Sequence, residues 1–512
     1  MPVTADAARQ QWTGSIPLHG GGLDLWAEGQ TRNPGAIAAA CVLALLLAAY
    51  WESSPYLLWS ALLPALWLAA ANPARLVQLL LVTTPAFPVI RMAQDFVGAQ
   101  QVSTKGLFFS ADDPIILALL FAWAGVRMRH PGQGKGICAP AFGWLIVLYP
   151  CVILLNGMRL DSNQLIVTTL YYLKWLQYVV LLIVVPQTIA EAAVPRLMSS
   201  LRRLLIGVVM FSTLFAVYEM AEAVRTGSYS SGAAFPRASA FFGTLDPARF
   251  AASEDPVNFG VYSMVAGAIA LGMFSHTRSK GRSPVVVAIL ASGVSLLLSA
   301  SRTPWLAAIA AFVKIQRIRS SKLIFASIFL AVSGALAYLI FPELWSVTAS
   351  RFGALSDWQN AMESSATDRL AIALNSPVFE VDEYWLAGHG HSSYRFIAEE
   401  HLSTITRGIS RSLYNFLLTA WYDVGPLGAG LWILAFLQLL RTLESIAAGS
   451  VSDDVRALAW GLRGALWGIC IASMFGEAAY NWRVMGYFYL CTGICLAADQ
   501  YHGRLGSPTE RT

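Results

Sequence analysis

Beyond residue 34 the chain alternates between long apolar runs and mostly short polar connections. A helix needs about 20 mostly apolar residues to cross a bilayer. Fourteen runs approach that length: roughly 35–51, 55–71, 75–92, 113–127, 138–156, 165–187, 201–221, 257–275, 284–300, 303–317, 323–341, 413–440, 457–476 and 484–499. The run at 413–440 carries Asp423, Gly425 and Pro426, so it reads as a broken helix or as a loop edge followed by a helix. Residues 1–34 are polar and Gly-rich and read as a flexible tail or a surface segment. The first apolar run starts only near Ala36, which does not fit a signal peptide. Two connections are large, 222–256 and 342–412. A segment as long as the second usually has a function, and Ser364–Leu374 within it reads as a short capped helix.

Composition agrees with this pattern. Hydrophobic residues make up 56% of the 512 and charged residues only 13%, against roughly 25% charged in soluble domains. This excludes cytoplasmic enzymes, secreted disulfide scaffolds and nucleic-acid binders. The six cysteines (Cys41, Cys138, Cys151, Cys470, Cys491, Cys495) lie in or at the edge of apolar runs, with no disulfide framework and no CxxC pattern.

Charge sets the orientation. With the N-terminus and every second connection taken as cytoplasmic, those segments hold 21 of the 35 Lys and Arg. The short connections on the other side hold 5: Arg91, Lys105, Arg159, Arg302 and Arg483. The expectation is an all-α polytopic membrane protein with about 14 transmembrane helices and a large, partly helical periplasmic loop. Residues 1–34 form a cytoplasmic tail. Residues 35–341 carry helices 1–11 with an outer loop at 222–256, residues 342–412 the periplasmic loop, 413–499 helices 12–14, and 500–512 a second cytoplasmic tail.

Four clusters on the expected outer face carry reactive side chains. Arg302 lies in Ser299-Ala300-Ser301-Arg302-Thr303-Pro304, a tight turn between two spans. Its guanidinium suits a diphosphate, and the same side chain also suits an interfacial anchor. Arg237 precedes Gly243 and Pro256-Val257-Asn258, with Arg249 between. The long loop offers Arg369, Gly388-His389-Gly390-His391, His401, Arg407 and Arg411. Histidine is the natural proton acceptor near neutral pH. His389-x-His391 has no cysteine or second histidine pair to complete a metal site, so no metal is expected. Tyr414-Asn415 stands before Gly425-Pro426-Leu427-Gly428. Lys174 is separate, near the middle of a run, where a charge is costly and either pairs within the bundle or serves a substrate.

Together these clusters resemble the bacterial O-antigen ligase and Wzy-type polysaccharide polymerase superfamily. Ser299 to Arg302 is similar to its Ser-x-x-Arg-like turn between two late spans. Arg369 and Gly388-His389-Gly390 are similar to the arginine and Gly-x-Gly of its large late periplasmic loop. Tyr414-Asn415, nine residues, then Gly425-x-x-Gly428 resembles its His-[Asn/Ser/Gln]-x9-Gly-x-x-Gly pattern, with tyrosine in place of histidine. Arg237, Gly243 and Pro256-Val257-Asn258 resemble its stretch before a middle span. The likeness covers roughly 235–440.

The resemblance implies a glycosyltransferase of the bacterial inner membrane, active on its periplasmic face, with both termini cytoplasmic. Donor and acceptor are undecaprenyl-diphosphate-linked glycans in the lipid bilayer, a chain-length regulator is a further partner, and nucleic acid, cofactor and metal are absent from the expectation. Arg302 and Arg237 would hold the leaving diphosphate, with Arg369 or Arg411 as a third cation. His389, His391 or another loop group would take the acceptor proton. Asn415 and Tyr414 would orient sugar or loop, and Arg249 and Lys174 complete the expected substrate-binding set. A tyrosine, with its pKa near 10, is a poor base at neutral pH. Tyr414 therefore favours a repeat-unit polymerase over a ligase or O-oligosaccharyltransferase that moves finished glycan to lipid A core or protein. The alternative outside glycan transfer is a lipid-linked glycan transporter or flippase.

Overall fold

The computed structural model describes residues 34–52, 55–86, 89–91, 108–129, 139–157, 160, 162–226, 256–276, 282–299, 301–315, 335, 376–379, 381–382, 384–391, 393–394, 413, 415–476 and 478–506. Over these residues the protein is a predominantly helical bundle. The helices are α1 (Pro34–Glu52), α2 (Pro55–Ser60), α3 (Leu62–Ala71), α4 (Pro73–Ala86), α5 (Asp112–Arg129), α6 (Pro140–Asn156), α7 (Ser162–Val179), α8 (Leu181–Thr188), α9 (Val194–Thr226), α10 (Pro256–His276), α11 (Arg282–Leu298), α12 (Arg302–Lys314), α13 (Phe416–Gly449), α14 (Asp453–Met474) and α15 (Trp482–Gly506). A small antiparallel pair, β1 (Val89–Arg91) and β2 (Phe108–Ser110), joins Val89 to Ser110 and Arg91 to Phe108.

Five stretches among the described residues are long and apolar enough to cross a membrane: Gln164–Thr188, Glu191–Tyr218, Val257–Ser275, Phe416–Gly449 and Asp453–Met474. Shorter apolar helices occupy Ala36–Ala49, Tyr56–Ala71, Pro140–Asn156 and Ser283–Leu298. Several predicted runs differ in detail. The run at 55–71 is interrupted at Ala61, and that at 165–187 at Val180, where one helix ends and the next begins. The run at 75–92 stops being helical at Ala86, just past Pro85, and continues into β1. Apart from residue 335, the run at 323–341 lies outside the described residues, as do the expected helix Ser364–Leu374 and residues 227–255 of the first large connection.

Small residues let the central helices touch backbone to backbone, the packing that substitutes for hydrophobic collapse in lipid. A Cβ on Gly272 of α10 would stand 2.5 Å from the Ala457 carbonyl and from the Gly461 nitrogen of α14. A Cβ on Gly468 would meet Met264 of α10 at 2.4 Å and the Ala307 carbonyl of α12 at 2.9 Å, and one on Gly464 the Ala311 carbonyl at 2.9 Å. These contacts run in opposite order along the chains, so α14 is antiparallel to both α10 and α12. The buried side chains form one continuous apolar core. A second, small cluster of Val378, Tyr394, Leu413 and Tyr422 binds the described loop residues to α13.

Candidate functional site

The site grows from the break in α13. Asn415 caps the helix, its Oδ1 accepting from the Leu417 nitrogen at 2.9 Å and the Leu418 nitrogen at 3.2 Å. The helix runs to Asp423 and then breaks at Val424 (φ −134°, ψ 20°) and Gly425 (φ 70°, ψ 177°) before Pro426. Proline lacks an N–H and disfavours helical backbone in the residue before it. Gly425 supplies the positive φ that the chain then needs.

The break leaves two carbonyls free of helical partners, and the loop uses both. The His389 nitrogen donates to the Tyr422 carbonyl at 2.8 Å and the Gly390 nitrogen to the Asp423 carbonyl at 2.9 Å. The fit has no room for side chains. A Cβ on Gly388 (φ 84°) would lie 2.5 Å from the Asp423 carbonyl oxygen and the Gly425 nitrogen. One on Gly425 would lie 2.0 Å from the Leu386 carbonyl oxygen. Asn156, at the end of α6, donates from Nδ2 to the Gly388 carbonyl at 3.0 Å.

This joint positions two histidines differently. The His391 Nδ1 lies 3.1 Å from the Oδ2 of Asp423, which is wholly buried. The ring sits edge-on to Tyr149 (centroids 5.0 Å apart) and at a steep angle to Tyr480 (5.1 Å) and Tyr171 (6.4 Å). Behind it, Tyr149 and Tyr480 share a hydroxyl–hydroxyl bond of 2.8 Å, and Trp432 Nε1 donates to the Tyr149 hydroxyl at 3.0 Å. With Nδ1–H donating to Asp423, the second nitrogen, Nε2, is the basic one. Among the described residues Nε2 has no hydrogen-bond partner. His389 lies flat on Tyr422, with centroids 4.1 Å apart and planes 5° apart, and its Nε2 is 2.8 Å from Asp382 Oδ2.

Arg302 is the first residue of α12, and the turn before it is held on α10: a Cβ on Gly260 would meet Pro304 at 2.5 Å and Ser299 Oγ at 2.7 Å. Ala307 of α12 packs on Gly468 of α14, and both Arg302 and Met474 lie beyond this contact in the same direction along the bundle. The Met474 carbonyl accepts from Asn415 Nδ2 at 3.3 Å. Arg302, Asn415 and the His391 joint therefore share one end of the bundle. Asn415, expected to orient sugar or loop, here caps α13 with Oδ1 and donates from Nδ2 to Met474.

Lys174 lies three residues beyond Tyr171 on α7 and faces a buried polar cluster. Its ammonium pairs with Asp113, donates to Ser110 Oγ at 2.8 Å and sits over the Trp482 ring at 4.9 Å. Asp113 also accepts from Gln177 at 2.6 Å and from the Ser110 backbone nitrogen at 2.9 Å. Asp112 beside it accepts from Thr83 at 2.8 Å and Tyr178 at 3.2 Å. Of its two expected roles, the structure shows Lys174 in internal pairing. Arg483, placed by the charge pattern in a short outer connection, is instead 1% exposed in the first turn of α15. Removing one partner of a buried pair leaves the other charge uncompensated. Lys174→Ala is expected to destabilise the protein by roughly 3 kcal/mol, read as a fall in midpoint on thermal denaturation in detergent. Lys174→Met combined with Asp113→Leu should recover much of that loss, and a wild-type midpoint for Lys174→Ala would contradict the pairing.

Arg237, Arg249, Arg369, Arg411 and Tyr414 lie outside the described residues. Among the described residues no group of three or more His, Cys, Asp or Glu is arranged to hold a metal ion. The partner that sequence reasoning missed is Asp423, read there only as a marker of the helix break. The available signal was its isolation, since it is the sole charged residue in the apolar run 413–440. No protein-family model matches this chain, and no curated protein matches it.

Proposed function

We propose that this protein is an integral membrane glycosyltransferase that polymerises undecaprenyl-diphosphate-linked oligosaccharide repeats on the periplasmic face of the bacterial inner membrane. The proposal includes fourteen crossings, cytoplasmic termini and a periplasmic loop at 342–412. The observation that carries it is the pairing of His391 with buried Asp423 at the end of the bundle that also holds Arg302. A histidine with one nitrogen bonded to a carboxylate and the other open is arranged as a base.

In this reading the hydroxyl of an acceptor repeat gives its proton to His391 Nε2. Its oxygen bonds to the anomeric carbon of the donor as the bond from that carbon to the diphosphate oxygen breaks, and the electron pair leaves with the diphosphate. Arg302, at the positive end of α12, stabilises that charge, with Arg237 and Arg369 or Arg411 as further cations. The tyrosine-rich wall around His391 keeps water from the acceptor hydroxyl. A diphosphate leaving group makes the transfer feasible without a metal.

Arg302→Ala is expected to reduce polymerisation roughly a hundredfold, and Arg302→Lys to restore part of it, because an ammonium keeps the charge and loses the planar fork. Glycan chain length in a null strain reads the effect, and full activity in both variants would remove Arg302 from the mechanism. Single repeats left on the carrier mark a lost polymerase, whereas long chains left on the carrier mark a lost ligase. A second reading, transport of lipid-linked glycan, draws on the break in α13 and the buried Lys174–Asp113 pair, since broken helices and internal charges line transport paths. Movement of labelled substrate across proteoliposomes without glycosidic bond formation would favour it.

A further inference from the structure

The two histidines of Gly388-His389-Gly390-His391 make different demands on protons. Each nitrogen of His391 that has a partner can be satisfied by the neutral ring: Nδ1–H faces Asp423 Oδ2 at 3.1 Å, and Nε2 is open among the described residues. His389 differs. Its Nε2 faces the Asp382 carboxylate at 2.8 Å and its Nδ1 faces the Tyr422 carbonyl at 3.3 Å. Both partners are acceptors, and a neutral imidazole carries one N–H. Only the doubly protonated ring donates to both. Its surroundings suit a cation: the ring lies flat on Tyr422, 4.1 Å away, where the aromatic face attracts positive charge. Among the described residues Asp382 is the charged group against it, and Tyr384 faces it from the loop at 5.9 Å.

We infer that His389 is a positioning residue, which as an imidazolium pins the Gly388–His391 arch to the break in α13 and thereby holds His391 against Asp423. For the proposed transfer, on whose reading this part rests, the consequence is that His391 keeps its place against Asp423 only while His389 holds both of its acceptors. The pair with Asp382 is partly solvent-exposed, with Asp382 at 41%, so the contribution is modest.

Hydrogen exchange tests the pin without any glycan. The amides of Gly388, His389 and Gly390 are bonded to Tyr384, Tyr422 and Asp423 carbonyls respectively. In the purified full chain His389→Gln should lower their protection, corrected for intrinsic exchange, about threefold to tenfold. His389→Arg, which keeps a planar cation with several donors, should hold the wild-type protection. Asp382→Asn provides a milder variant that removes the ion pair and should lower protection less than His389→Gln. A folded His389→Gln chain with wild-type protection would overturn the inference. If exchange behaves as expected while no glycan is transferred, the transferase reading fails alone. If glycan is transferred while His389→Gln leaves exchange unchanged, the pin fails alone.

Discussion

His391→Ala is expected to slow glycan transfer by about 100- to 10,000-fold, the range over which a positioned general base contributes. The substitution removes the one ring whose Nδ1 is bonded to the buried Asp423 and whose Nε2 is open. Asp423→Asn should lose activity to a similar degree with the imidazole still present. An amide that turns its NH2 toward Nδ1 favours the tautomer with the proton on Nε2, and that tautomer cannot accept. Asp382→Asn is the matched comparison, since it removes a carboxylate from a histidine two residues away and is expected to cost far less near neutral pH. The checks are polymer length in a null strain and turnover of the purified protein, with folding verified by thermal denaturation. A wild-type ladder from folded His391→Ala would reassign the base.

Gly425→Ala should prevent stable folding, with a cost above about 4 kcal/mol. Two effects add: φ is 70°, which side-chain-bearing residues rarely adopt, and the new Cβ would stand 2.0 Å from the Leu386 carbonyl oxygen. The obstacle is backbone of a loop residue, which cannot swing aside as a side chain would. The consequence reaches the site, because displacing Leu386 displaces the following arch and with it the bonds from His389 and Gly390 to the broken helix. Gly430, one turn further along the same helix, is the control. A Cβ there meets nothing within 4 Å, so Gly430→Ala is expected to be neutral or stabilising by up to about 1 kcal/mol. Yield and midpoint by thermal denaturation separate the two, and equal behaviour would contradict the described joint.

Much of the helical layout was legible because apolar length is the strongest signal a membrane chain carries. Its interruptions were not equally legible. The break at Gly425-Pro426 could be read, since those residue types specify a backbone change. The one at Ala61 had a signal in Pro64, which lacks the N–H that would bond the Ser60 carbonyl, whereas the one at Val180 could not be read, because Val180 does not differ in kind from its neighbours. Arg483 shows the limit of charge counting. A span-edge arginine belongs to a connection by sequence, yet Arg483, Val484 and Met485 in the first turn of α15 are buried, and Tyr178 of α7 stacks on Trp482 beside them.

Lys174 announced itself as a costly charge, but Asp113 sits 61 positions earlier at the start of another helix. His389 and His391 were indistinguishable by type and nearly so by position. Their separate roles come from a loop aspartate seven residues away in one case and a helix-break aspartate 32 residues away in the other. Pairing of this kind is tertiary, and no periodicity encodes it.

Under the proposed transfer, a sugar–diphosphate bond is broken and a glycosidic bond formed at the His391 end of this bundle. Reconstitution with purified undecaprenyl-diphosphate-linked repeats tests it, by counting undecaprenyl diphosphate released against glycosidic bonds made. One carrier should be released per bond formed, dependent on His391 and Arg302. Substrate recovered intact, on either side of the vesicle and with no carrier released, would contradict it.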